Sequence, residues 1–200
     1  MNHKFSTALL QPTMVLIGVI ALALMTPTLH GNDLQPMKTL FEFTGEKPDE
    51  EWSSSNDGVM GGLSKGSASI VSAGMLFNGD LSLLNNGGFS SIFHNVNVDL
   101  SDYSGIRLTV LGDGRQYQLR LQSDAIYSQR GPVSFSSEFK TIAGEWVDVF
   151  LPFSQLNQSW RGRQLSGYPF NRKDIRRIGV LLGDKKSGVF SLKIASIVAQ

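Results

Sequence analysis

From Thr39 onward the chain alternates apolar with polar side chains, and glycine, Asn or Asp interrupts the alternation at intervals of about eight to twelve residues. Nowhere in that stretch do apolar residues recur at the 3.6-residue spacing of an amphipathic helix. A chain patterned this way buries one face of each strand, so it must stack sheets or close one into a barrel. The alternation predicts strands over Thr39–Phe43, Ser67–Val71, Met75–Leu83, Phe89–Val96, Ile106–Leu111, Gln116–Gln122, Val133–Phe139, Trp146–Phe150, Ile175–Leu182 and Phe190–Val198. About ten strands in one domain of this size favour a two-sheet β-sandwich or jelly roll over a small barrel. The expected fold class is therefore all-β, with a single sandwich over residues 39–200.

"LGDGRQ", Leu111 to Gln116, places an Asp-Gly turn between two alternating runs, a strong short-range hairpin signal. It predicts that Ile106, Leu108 and Val110 pair across the turn with Tyr117, Leu119 and Leu121. Phe41, Phe43, Phe77, Trp146, Phe150, Phe190 and Ile194 fall on the apolar parity of their strands and are expected in the core. Residues 152–172, "PFSQLNQSWRGRQLSGYPFNR", break the rhythm and read as a long loop of the kind that carries function.

Before the patterned region, Met14 to Met25, "MVLIGVIALALM", is wholly apolar and ends at Thr26-Pro27-Thr28. At about a dozen residues it suits a signal-peptide core better than a bilayer span of about 20. Residues 1–31 are expected to be a signal peptide or an uncleaved amino-terminal anchor, a misplaced start being the third reading, and residues 32–38 a linker. The protein would then be exported, to the periplasm or outside the cell, or tethered to a membrane through this segment alone.

Charge narrows the partners. The 18 Lys and Arg nearly balance the 17 Asp and Glu, and they are scattered, so the chain has no footprint for nucleic acid or an anionic bilayer. With no cysteine, thiolate catalysis and Cys-ligated metal are excluded. No H-x-x-x-H, EF-hand or P-loop spacing occurs, and no metal or cofactor is expected. A sandwich permits one Ca²⁺ held by loop oxygens, but nothing in the sequence specifies it.

"WSSSNDGVMGGLSKG", Trp52 to Gly66, gathers four glycines with Asn56, Asp57 and Met60, and "NNGGF" supplies Asn85, Asn86 and Phe89. These side chains could line one end of the sandwich, amides and a carboxylate orienting a partner while an aromatic and a thioether bury its apolar part. Alternatively, the glycines let two loops pack and the polar side chains tie up turn backbone. Trp160, Arg161 and Arg163 combine an aromatic with two guanidiniums on one irregular segment, a composition enriched at interface hot spots. Arg115 and Arg120, placed in or beside loops, are also of the type that grips carboxylates or phosphates in two bonds, with solvated surface as the alternative; Arg115, beside the tight turn, reads as solvated surface.

Gly62-Leu63-Ser64-Lys65-Gly66 fits G-x-S-x-G but lacks the following helix and the late His of a nucleophile elbow. His94 sits inside an alternating run, as an ordinary strand residue would. No catalytic residue is assigned and the protein is expected not to be an enzyme.

Taken in order, "WSSSNDGVMGGLSKG", "FNGDLSLLNNGGFSSI", "GDGRQYQLRL", "EWVDVFLPF", "RGR" and "GVFSLKIASI" resemble the complex I intermediate-associated protein 30 family over nearly all of Phe41 to Ala199. The resemblance implies a galactose-binding-like β-sandwich and a non-enzymatic, chaperone-like role in assembling a membrane respiratory complex, with a protein partner. Glycan recognition at the cell envelope is the alternative from a different class.

Overall fold

The computed structural model describes residues 36–43, 51–72, 74–128 and 131–200, together with Met1. The apolar run and linker residues 32–35 fall outside the described residues, and the chain divides into units Met1–Asp33 and Leu34–Gln200, of which the second is the domain considered below. No described helix is long and apolar enough to cross a membrane.

The domain is a β-sandwich. Its strands are β1 (Lys38–Glu42), β2 (Ser53–Asn56), β3 (Lys65–Val71), β4 (Gly74–Leu81), β5 (Ser90–Val98), β6 (Gly105–Leu111), β7 (Gln116–Ser128), β8 (Gly131–Lys140), β9 (Trp146–Pro152), β10 (Asn157–Trp160), β11 (Arg163–Leu165), β12 (Ile175–Leu182) and β13 (Gly188–Ala199). One sheet runs β3-β4-β13-β6-β9, with β1 added along the end of β13, and the other runs β11-β10-β8-β7-β12-β5-β2. All the strand pairings within the two sheets are antiparallel. Alternation decides which face is buried: Ile106, Leu108 and Val110 of β6 and Leu192 and Ile194 of β13 meet Tyr117, Leu119 and Leu121 of β7 and Ile178, Val180 and Leu182 of β12 in one core.

Three expectations are corrected. The Asp-Gly turn does not close a hairpin, because β6 pairs with β9 and β13 whereas β7 pairs with β8 and β12. The turn carries the chain from one sheet to the other, so the two apolar rows belong to opposite sheets. Gly114 supplies a φ of 86° there, and the Asp113 carboxylate accepts from the Arg115 and Ser191 N–H groups and the Tyr117 hydroxyl.

Trp146 and Phe150 are exposed, not core. On β9 the two parities are both apolar, and the edge strand turns Val147, Val149 and Leu151 inward, leaving Phe150 outside with the Arg107 guanidinium 5.8 Å from its ring centroid. Phe41, Phe43, Phe77, Phe190 and Ile194 are buried as expected.

Third, residues 157–165 are not loop but the short hairpin β10–β11, and β2 adds an edge strand the alternation does not mark. "SSSN" and "NQSW" contain one apolar residue between them, so neither shows a pattern. They are strands because a neighbouring edge, β5 or β8, offers unpaired backbone groups.

Candidate functional site

The glycine-rich segment closes one end of the sandwich, and a carboxylate holds it. Asp57 follows β2 in a single 3₁₀ turn, Asp57–Met60, and its side chain has no solvent exposure. It accepts hydrogen bonds from the Ser64 N–H (2.9 Å), the Ser64 hydroxyl (2.5 Å), the Gly88 N–H (2.6 Å) and the Phe89 N–H (3.3 Å). Burial alone would raise its carboxyl pKa, but these donors, Ser64 foremost, outweigh desolvation and hold it below the ordinary carboxylate value. Backbone bonds complete the clamp, from Asp57 N–H to the Phe89 carbonyl and from Gly62 N–H to the Asp57 carbonyl.

The glycines are explained by the clamp. A Cβ on Gly62 would stand 2.4 Å from the Asp57 Cγ, and one on Gly87 2.7 Å from its Oδ2. Gly61, in contrast, meets nothing but holds a φ of 89°, closing the 3₁₀ turn. Asn56 adds a second tie: its Nδ2 donates to the Gly66 carbonyl at 3.1 Å while its Oδ1 accepts from the Ser90 hydroxyl at 2.6 Å.

Of the two sequence readings, the geometry therefore supports the staple for Asn56 and Asp57, whose side chains tie the neighbouring segments to each other. Ser64 belongs to the same staple: besides binding Asp57, its Oγ accepts the Ser82 N–H at 3.0 Å. His94 lies elsewhere, packed on Phe41 and Trp52 with Nδ1 3.1 Å from the Glu51 carbonyl. The serine of the G-x-S-x-G match thus has a carboxylate and backbone around it, and among the described residues no imidazole is hydrogen-bonded to it.

What the staple presents is apolar. Val59, Met60, Leu63, Leu83 and Leu84 all project from the two clamped connections into solvent, Val59 at 82% and Leu84 at 64% exposure. Asn85 and Asn86 are exposed beside them, both in the left-handed region (φ 54° and 59°), and Phe89 is half-buried at the start of β5. Sequence reasoning picks out Met60, Asn85, Asn86 and Phe89 but misses the four aliphatic residues. Leu63, Leu83 and Leu84 look like ordinary strand or core positions until the turns around Asp57 are known.

Trp160, Arg161 and Arg163 do not join this group. They form the β10–β11 hairpin, at the opposite edge of the seven-stranded sheet from β2. Six inter-strand spacings separate the two edges, about 29 Å at the usual separation of about 4.8 Å. Arg161 and Gly162 take positive φ (47° and 77°) at the tight turn, and the Arg161 guanidinium lies 5.1 Å from the Trp160 ring centroid.

Arg115 is not solvated. Its Nη2 and Nε grip Asp184 at 2.6 and 3.1 Å, and it donates further to the Lys186, Gly188 and Val189 carbonyls. It ties the sheet-to-sheet turn to the β12–β13 connection, a partner 69 residues away that no local pattern reveals. Among the described residues, no group of three or more His, Cys, Asp or Glu is placed to hold a metal ion.

Comparison with known proteins places this architecture. A family model described as complex I intermediate-associated protein 30 matches residues 41–194. The mitochondrial complex I intermediate-associated protein 30 of Mus musculus is 27% identical over 83% of this chain, which spans 59% of the mouse protein's length. A probable mitochondrial counterpart in Caenorhabditis elegans is 35% identical over 46% of this chain and 28% of its own. Among solved structures, a family 11 carbohydrate-binding module of Clostridium thermocellum in complex with a mixed-linked tetrasaccharide superposes with a TM-score of 0.63. It is 19% identical, over 82% of this chain and 94% of the module, a likeness of fold.

The expectation of export or membrane tethering is overturned by these relatives, which are named as mitochondrial proteins in mouse and nematode. A short apolar run near an amino terminus was too weak a signal to decide the compartment. With the family match covering most of the sandwich, the chain belongs to the complex I intermediate-associated protein 30 family.

Proposed function

We propose that this protein is a non-enzymatic assembly factor that holds a protein component of a complex I-type respiratory assembly, with the clamped loop end as its contact surface. One observation carries the reading. Two connections fixed to each other by a buried carboxylate present Val59, Met60, Leu63, Leu83 and Leu84 to solvent. A rigid apolar surface loses little conformational entropy on docking, and its exposure costs the free protein solubility unless a partner covers it. Family membership supports the kind of partner; Asn85, Asn86 and Phe89 supply the polar and aromatic margin.

The glycan reading gains no comparable support. The bound sugar in the superposed module belongs to that protein, and two of the rings available for stacking here, Trp160 and Phe93, are each covered by a guanidinium.

The test is capture of complex I subunits, identified by mass spectrometry, from mitochondrial membranes by the full chain. Met60→Asp with Leu84→Asp should reduce capture at least about fivefold, since charges at an interface centre strand themselves on docking. Circular dichroism and thermal unfolding should remain those of the parent, because both side chains are exposed. Undiminished capture by the folded double variant would overturn the loop end as the contact surface.

A further inference from the structure

The outer face of the seven-stranded sheet is partly buried at its middle. Register places Ser53, Phe93, Gly179, Arg120, Ser136 and Asn157 in one row across β2, β5, β12, β7, β8 and β10. These residues share the parity opposite to the core, since Ile92, Val180, Leu119, Leu121 and Phe135 turn inward. A solvated sheet face should expose its polar side chains, yet Ser134 and Ser136 are only 2% and 9% exposed.

Several of the longer polar side chains on this face are paired with one another. Gln122 donates to Ser134 at 2.8 Å, Gln118 to Glu138 at 3.1 Å, and Arg177 to Asn95 at 3.1 Å while stacking 4.3 Å from the Phe93 centroid. Arg120 has neither a hydrogen bond nor an ion pair among the described residues. Its direct cross-strand neighbours are Ser136 and Gly179, and the glycine contributes no side chain. Burial pulls its guanidinium below the ordinary arginine range, with no opposing charge to compensate. Among the described residues, the side-chain polar atoms fully sealed from solvent without a partner are Trp52 Nε1 and Ser123 Oγ, and the Arg120 nitrogens are not among them. A half-buried, unpartnered cation beside a glycine gap is costly to keep unless something fills the gap with negative charge.

We propose that the sheet face around Arg120 is a binding site for a carboxylate carried on an acidic polypeptide segment. The planar guanidinium fork matches a carboxylate in two parallel bonds. Glu138, diagonal to Arg120 across β7–β8, disfavours a doubly charged phosphate more than a singly charged carboxylate. Phe93, a ring on this face, is covered by Arg177 and offers a sugar no platform. The site deepens the reading of a protein partner by giving it a second, electrostatic foothold away from the apolar loop end.

The test is fluorescence anisotropy of a labelled hexaglutamate peptide with the full chain, against hexaglutamine and with inorganic phosphate and glutarate as competitors. Hexaglutamate should bind and hexaglutamine should not. Arg120→Gln should weaken binding at least tenfold, whereas Arg163→Gln, an equal loss of charge at the exposed hairpin, should change it less than twofold. Met60→Asp with Leu84→Asp should leave peptide binding unchanged, so failure of this site and failure of the loop-end surface are separate results. Equal losses for Arg120→Gln and Arg163→Gln, or binding of hexaglutamine, would overturn the proposal. So would Arg120-dependent binding of glutarate or phosphate with no binding of the peptide, which would assign the site to a small anion. Arg120→Gln should also melt at or above the parent temperature, which separates lost binding from lost folding.

Discussion

The loop end around Asp57 and the β10–β11 hairpin look alike in sequence, each a glycine-containing, polar break in the strand rhythm beside a Trp, but they are built on different physics. The loop end is fixed from within, by one buried carboxylate that takes four donors from two connections distant in sequence. The hairpin is fixed by its own ladder to β8 and by a turn with two positive φ values, and its charged side chains are exposed. The first arrangement makes a surface rigid at the expense of the polar groups that hold it. The second leaves its two guanidiniums exposed and its backbone only locally restrained. Composition cannot separate them, because what differs is where the hydrogen bonds go.

Asp57→Ala should have the largest effect. It leaves the Ser64, Gly88 and Phe89 N–H groups without an acceptor, so the domain should lose about 2–4 kcal/mol, read as the shift in a urea midpoint at constant slope. The same clamp has a pH signature. Its carboxyl is depressed below the ordinary 3.8, so its contribution is complete above that value and is lost as pH falls through the lower, folded one. Asp57→Asn should therefore be less stable than the parent at neutral pH and lose less stability than the parent when acidified below about pH 4. Parallel acid profiles for the two proteins would remove Asp57 from the account.

Glycines of the clamp come next, and they differ for stated reasons. Gly62→Ala drives a Cβ to 2.4 Å from the Asp57 Cγ and should cost about 2–3 kcal/mol by forcing the clamp open. Gly61→Ala has open space but a φ of 89°, so its cost should be the left-handed penalty alone, about 1–2 kcal/mol. Gly58→Ala meets no atom and needs no positive φ, so it should be near neutral. Chemical denaturation of the three variants should rank them in that order; a Gly58 cost equal to that of Gly62 would show that loop flexibility, not contact with Asp57, sets the requirement.

The sequence discloses the sandwich because each central strand is dictated by its own alternation: Ile106, Leu108 and Val110 need nothing beyond parity to be placed inward. It does not disclose β2, β10 or β11, whose residues carry no apolar pattern and are strands only because a neighbour's edge is available. Nor can parity choose a face for β9, where Trp146 and Phe150 compete with Val147 and Val149 and the edge position decides. At the loop end the glycines and Asp57 are conspicuous, but their role depends on Gly88 and Phe89, more than thirty residues on. Arg120 can be named from sequence only as one of several scattered arginines able to grip a carboxylate or phosphate. That it is the unpartnered one shows only once its cross-strand neighbour proves to be a glycine.

The smallest effect should come at the hairpin turn, where two terms oppose each other. Arg161 holds a φ of 47°, a conformation Asn adopts more readily, so Arg161→Asn should relieve up to about 1 kcal/mol of backbone strain. The same change removes the guanidinium stacked 5.1 Å from the Trp160 centroid, worth about 0.5–1 kcal/mol at an exposed site. The sum should fall within about 0.5 kcal/mol of zero. Trp160→Leu in the Arg161→Asn background separates the terms: with the stacking already gone, it should cost less than Trp160→Leu in the parent by about the stacking energy. A loss above about 2 kcal/mol for Arg161→Asn alone would mean that the hairpin, like the loop end, is held by a specific side-chain tie, and the contrast between the two regions would collapse.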